Sequence, residues 1–139
     1  MTTLLDTNIL IAMLDDNNYF HRWALEKFDE LKTEGPMLIS DIVYCEASVG
    51  MESQEAMDTA IYRLGIDRIP SSNKSLFRAG RAFKRYKQEN HGPKLGVLPD
   101  YTIGAIAETE GIPLLTTNPS DYVGYFPEIE IIKPTPTAP

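Results

Sequence analysis

Four acidic residues of this chain, Asp6, Glu46, Asp100 and Asp121, stand beside short apolar runs that read as strands or at the start of apolar helices. In Leu4-Leu5-Asp6-Thr7-Asn8 two apolar residues end in a carboxylate, and the apolar run Ile9 to Leu14 follows at once. A charge held between two buried elements is costly unless it is paired or binds a metal. Carboxylates unaccompanied by His or Cys ligands select hard divalent cations such as Mg²⁺ or Mn²⁺, which prefer oxygen and keep several waters. The two histidines do not change that donor set. His21 falls in an amphipathic segment and His91 in the turn Asn90-His91-Gly92-Pro93, and both read as solvated surface residues.

Positioning four acids so distant in sequence requires a fold that gathers loops at one edge. Short apolar runs alternate here with helical patterns, the mark of an α/β fold with a largely parallel sheet. Strands are expected near Thr3–Leu5, Met37–Ile39, Ile66–Ile69, Leu114–Thr116 and Ile129–Ile132. Between Tyr19 and Glu34, Phe20, Trp23, Ala24, Phe28 and Leu31 recur at helical spacing, and Gly35-Pro36 ends the run. Further helices are expected from Ser40 to Met51, from Gln54 to Leu64, from Lys74 to Gln88, and from Pro99-Asp100 to Gly111. In an open α/β sheet the loops at the carboxyl ends of the strands collect at one edge. Asp6 and the segment Asn118–Asp121 follow two of those strands, while Asp100 and Glu46 lie near the starts of helices facing the same edge.

The chain has 139 residues and one cysteine. That length suits one domain, residues 1–133, followed by a disordered Pro/Thr tail at 134–139. Cys45, within Ile42-Val43-Tyr44-Cys45, reads as a buried small hydrophobe, and a reducing cytoplasm is the natural home of such a chain. The longest apolar run falls far short of the roughly 20 residues a membrane-spanning helix needs. A formal net charge of −7 does not exclude a nucleic-acid partner, because acids that hold a divalent cation are locally neutralised.

Leu4-Leu5-Asp6-Thr7-Asn8-Ile9-Leu10, Ser40 to Glu46, Leu98-Pro99-Asp100 and Leu115-Thr116-Thr117-Asn118-Pro119-Ser120-Asp121-Tyr122 together resemble the four acidic motifs of PIN-domain ribonucleases, in particular the VapC-type toxins. The resemblance extends from Thr2 to about Lys133. It implies a three-layer α/β/α sandwich around a central parallel sheet of about five strands, and Mg²⁺- or Mn²⁺-dependent endonucleolytic cleavage of RNA. A cognate antitoxin and a homodimer are implied as well. Carried over residue by residue, Asp6, Glu46, Asp100 and Asp121 would be both catalytic and metal-binding. The fourth acidic position could be filled by Asp121 or correspond to Asn118. Thr7, Asn8, Thr117 and Asn118 could orient the carboxylates by hydrogen bonds.

RNA also calls for positive surface. From Lys74 to Gln88 the cations Lys74, Arg78, Arg81 and Arg85 line up opposite an apolar stripe of Leu76, Ala79, Gly80, Phe83 and Tyr86, and that face could grip phosphates. Two other readings compete. A phosphoryl-transfer enzyme of the receiver or aspartyl phosphatase type also carries an acid after its first strand, but such enzymes need a second acid close by, and Asp6-Thr7-Asn8 supplies one. The other is a non-catalytic PIN-like module that binds RNA or protein.

Overall fold

The computed structural model describes residues 1–90 and 95–135. Its sheet consists of β1 (Thr3–Leu5), β2 (Met37–Ser40), β3 (Ile66–Ile69), β4 (Leu114–Leu115) and β5 (Ile131–Ile132), all parallel, in the order β3-β2-β1-β4-β5. β1 lies at the centre, with Leu4 opposite Leu38 on one side and Leu114 on the other. It is buried throughout, as expected of a strand covered on both faces. The helices are α1 (Thr7–Leu14), α2 (His21–Lys32), α3 (Asp41–Ser48), α4 (Gln54–Leu64), α5 (Asn73–Glu89), α6 (Leu98–Glu110) and α7 (Ser120–Val123).

The strand order assigns the layers. The path β1 to β2 to β3 runs outward in one direction, then returns across the sheet to β4 and continues to β5. Crossovers between parallel strands are right-handed, so the helices of the first path cover one face and those of the second cover the other. This is the α/β/α sandwich expected from the sequence. The direction of travel reverses between β1 and β4, and in such sheets ligands bind beside the carboxyl ends of the strands at that switch. Asp6 follows β1 there and Thr116 follows β4.

Several expectations are corrected. The helix expected from Tyr19 begins at His21, because the Asn18 side chain accepts a hydrogen bond from the Phe20 amide at 2.9 Å and the Asn18 carbonyl accepts one from His21 at 3.0 Å. That turn leaves Tyr19 outside the helix, with 90% of its surface exposed. His21 is half-buried rather than solvated, its Nδ1 lying 2.8 Å from the Ala12 carbonyl near the end of α1. His91 lies outside the described residues, as do the last four residues of the expected tail. Cys45 is exposed. Val43 and Ala47, four apart on α3, take the buried face, and Cys45 between them turns outward. The last strand is only Ile131–Ile132, because Pro127 to Ile129 form a turn.

The basic helix is also corrected. Ser75, Ala79 and Ala82 form its buried face, while Leu76 and Phe77 are exposed. Arg78 is not an open phosphate-binding cation: it pairs with Glu108 of α6 at 2.6 Å and donates to the Tyr125 carbonyl at 2.6 Å. Its guanidinium also lies over the Phe126 ring, 4.6 Å from the centroid. Arg85 pairs with Glu89, whereas Arg81 is exposed over the Phe77 ring. Charge-assisted hydrogen bonds contribute about 1.5–3 kcal/mol each when their partners are sheltered. Arg78→Ala is therefore expected to lower unfolding stability by about 2 kcal/mol, and Arg81→Ala to change it little. Urea melts of the two variants beside the parent measure this.

Candidate active site

Asp6 is the N-cap of α1. Its extended backbone, at φ −73° and ψ 157°, lets Oδ1 accept from the Thr7 amide at 2.7 Å. Oδ2 accepts from the Thr116 hydroxyl, also at 2.7 Å. The residue is 1% exposed. Both oxygens are thus held at the switch point, one by the first turn of α1 and one by the end of β4. Burial raises the Asp6 carboxyl above its ordinary value, and the neighbouring Asp121 adds to this, against the opposing hydrogen bonds from Thr116 and Thr7.

Glu46 sits on α3, where its Oε1 accepts from the Thr7 hydroxyl at 2.7 Å. Thr7 therefore bridges two acids 40 positions apart, its amide on Asp6 and its hydroxyl on Glu46. Asp100 lies in the first turn of α6, just after Pro99. Desolvation pushes its carboxyl up to about 7, with further contributions from the negative charges of Asp6, Asp121 and Glu46. Asp100 thus feels the negative charge of the other three acids. Asp121 occupies the first turn of α7 and is half-buried, and burial raises its carboxyl too.

No lysine or arginine forms an ion pair with any of the four among the described residues. The same residues include no three His, Cys, Asp or Glu side chains already gathered as a coordination group. The site is thus a set of carboxylates without an ion-paired cation and not drawn together into one coordination group, with the Glu46 side chain engaged by Thr7. Its donor chemistry suits a hard divalent cation, which would offset the repulsion and draw the side chains inward.

Tyr122 closes the floor. It is fully buried and its hydroxyl, which faces the Asp6 carboxylate, has no hydrogen bond of ordinary geometry among the described residues. Burial and the charges of Asp6 and Asp100 raise its phenol far above the usual range. It serves here as a neutral wall to the acid cluster.

Of the residues proposed to orient the acids, Thr7 contacts two of them. The expected contribution of Thr117 belongs to Thr116: successive residues leaving a strand point to opposite sides, and Thr116 points at Asp6 while Thr117 faces an adjoining groove. Asn118 is exposed. Its amide donates to the Thr116 hydroxyl at 2.9 Å, and its carbonyl accepts from the Asp121 amide at 3.2 Å. It builds the turn that carries Asp121. Asn8 is half-buried and makes no side-chain hydrogen bond to the acids among the described residues. Sequence alone does not single out Thr116: the adjacent Thr-Thr pair signals a hydroxyl there without indicating which one faces inward.

A parallel α/β/α sandwich with carboxylates at its switch point is the class of fold and site present here. The PIN domain family model matches residues 3–122, and the chain belongs to that family. Among solved structures, a toxin–antitoxin complex from Klebsiella pneumoniae is similar at 28% identity and a TM-score of 0.66, covering 96% of this chain and 98% of that one. VapBC2 from Rickettsia felis, bound to a DNA fragment from its promoter, is similar at 20% identity, a TM-score of 0.72 and the same coverages. VapC20 of Mycobacterium tuberculosis, a toxin that cleaves the sarcin–ricin loop, is similar at 18% identity and a TM-score of 0.56, over 79% of this chain and 84% of that one. No curated protein sequence matches. No helix among the described residues is long and apolar enough to cross a membrane.

Proposed function

We propose that this chain is a divalent-cation-dependent endoribonuclease that acts as the toxin of a toxin–antitoxin pair in the cytoplasm. The observation that carries the reading is Asp100, a carboxylate at a helix start that burial and, after it, the charges of Asp6, Asp121 and Glu46 push up to about 7, with no ion-paired cation among the described residues. Membership of the PIN family supports the nuclease class, and the likeness to toxin–antitoxin complexes supports the biological role.

In this reading Asp6, Asp100, Glu46 and Asp121 hold Mg²⁺ or Mn²⁺. When bound, such an ion neutralises phosphate charge and lowers the pKa of water for attack on a phosphodiester. The chain's own contribution is positioning. Thr7 and Thr116 fix both oxygens of Asp6, and Thr7 tethers Glu46. Asp121 suits the fourth position better than Asn118, since Asp121 lies within electrostatic reach of Asp6 and Asp100. A receiver-like or phosphatase-like role for Asp6 is disfavoured, because Asp6-Thr7-Asn8 supplies one acid where such enzymes need a second close by.

The antitoxin has a suitable berth in a groove of about 410 Å³ lined by Ile11, Leu14, Val49 and Met51 together with the acids Asp15, Asp16 and Glu46. Val49 is 87% exposed there, an aliphatic surface suited to an apolar protein segment.

Incubating the purified protein with total RNA, with Mg²⁺ or with EDTA, tests the proposal. Discrete cleavage in Mg²⁺ and none in EDTA is expected. Cleavage that persists in EDTA would contradict it, as would RNA binding without cleavage.

A further inference from the structure

A second cavity, of about 670 Å³, lies between the start of α2 and the loop after β4. We propose that it is a subsite for an unpaired nucleobase of the RNA strand, next to the carboxylate cluster. This rests on the ribonuclease reading and adds to it where, and by what chemistry, the substrate strand is held.

Three aromatic side chains line the cavity: Tyr19, Phe20 and Trp23. Tyr19 is 90% exposed, yet its ring is braced edge-on against Phe20, with centroids 4.9 Å apart at 87°. An aromatic ring held out in water gains nothing from the fold, but it offers a π-face to a ligand. The rest of the apolar lining is proline, with no Leu, Ile or Val. That composition differs from the groove beside Glu46, whose walls are aliphatic side chains and acids with no aromatic ring. Aliphatic walls suit an apolar peptide, whereas flat aromatic walls suit base stacking.

Charge points the same way. Arg22 and Lys133 share the lining with one acid, Glu26. In a chain of net charge −7, this local excess of cations suits the phosphates flanking a stacked base. Continuity with the acids comes through Thr117 and Pro119, which line the cavity, while Thr116, one residue earlier, holds Asp6. A strand with one base in the cavity would lie along the segment after β4, whose residues Thr116 and Asp121 belong to the acid site.

Trp23 is the only tryptophan of the chain, so its fluorescence reports this cavity alone. The full chain in EDTA at low salt is titrated with a single-stranded hexaribonucleotide of mixed sequence, with an abasic hexamer of the same backbone, and with an apolar aliphatic peptide. The ribonucleotide is expected to quench Trp23, and the abasic strand to bind at least about tenfold more weakly. Tyr19→Ala, at a position too exposed to affect folding, should weaken ribonucleotide binding by about ten- to a hundredfold while leaving the thermal melt unchanged.

Absence of quenching by the ribonucleotide would overturn the subsite. Equal affinity for the abasic strand, or quenching by the peptide alone, would do the same. Parallel cleavage assays in Mg²⁺ separate the two readings. Cleavage with no effect of Tyr19→Ala on RNA affinity sinks the subsite alone, whereas quenching without cleavage sinks the nuclease alone.

Discussion

Asp100→Asn is expected to abolish RNA cleavage while making the metal-free protein more stable. The two effects share one cause. The Asp100 carboxyl lies where burial and three neighbouring acids disfavour its charge, so that it titrates near 7 rather than at its ordinary 3.8. A group held in that state stores repulsion that a cation relieves, and substitution by a neutral amide removes both the repulsion and the ligand. Loss of one preorganised electrostatic group of this kind lowers turnover by about 10²–10³-fold or more.

The sign of the stability effect follows from proton linkage. Between pH 3.8 and about 7 the folded protein retains a proton that the unfolded chain has released. The unfolded state binds fewer protons in that window, so this group's contribution to stability falls as pH rises through it and levels off above it. Near pH 4 the unfolded chain also keeps much of the Asp100 proton, so the parent and its Asn variant should differ least there, and the gap opens as pH rises. At pH 8 the variant should be more stable by about 1–2 kcal/mol, a figure already reduced for solvent screening of a half-exposed group. Thermal melts in EDTA at the two pH values, with cleavage assays in Mg²⁺, decide the matter. Equal stability at pH 8, or retained cleavage, would contradict the assignment of Asp100.

What was legible in the sequence followed from local physics. A carboxylate directly after Leu4-Leu5 can only mark the end of a buried strand, and alternating apolar runs and helical spacings imply a parallel sheet whose loops meet at one edge. The details that escaped depend on partners remote in the chain. Arg78 lies on a helix face that reads as solvent-exposed, and only the approach of Glu108, 30 residues away, turns it inward. Thr116 and Thr117 are chemically the same. The point where β4 ends decides which hydroxyl reaches Asp6, and strand ends are set by pairing rather than by local preference. Tyr19 and Cys45 show the same limit. Periodicity indicates that a helix has a buried face, but the Asn18 turn and the outward rotation of one α3 position decide who lies on it.

Gly104 gives the largest expected effect on folding. It lies on α6 four residues beyond Asp100, where a Cβ would fall 2.7 Å from Cδ2 and 2.9 Å from Cε2 of the Phe126 ring. That ring has little room to retreat. Phe126 is fully buried, its centroid lies 5.8 Å from that of Tyr101, and the Arg78 guanidinium covers it. Two effects oppose each other in Gly104→Ala. Alanine improves helix propensity by about 1 kcal/mol, while forcing a methyl into a packed core costs about 1–3 kcal/mol. With the ring pinned on two sides, the clash should prevail, giving a net loss of about 1 kcal/mol. Gly104→Val adds two further methyl groups at the same contact and recovers less propensity, so its loss should reach about 3 kcal/mol or more. Because α6 carries Asp100 in its first turn, relief of the clash by a shift of α6 would also move that carboxylate away from Asp6. Urea melts should therefore rank the parent, alanine and valine proteins in that order, with RNA cleavage falling in the same sequence. A valine variant as stable as the parent would show that Phe126 yields, and that the close approach of α6 to this ring does not position the acid.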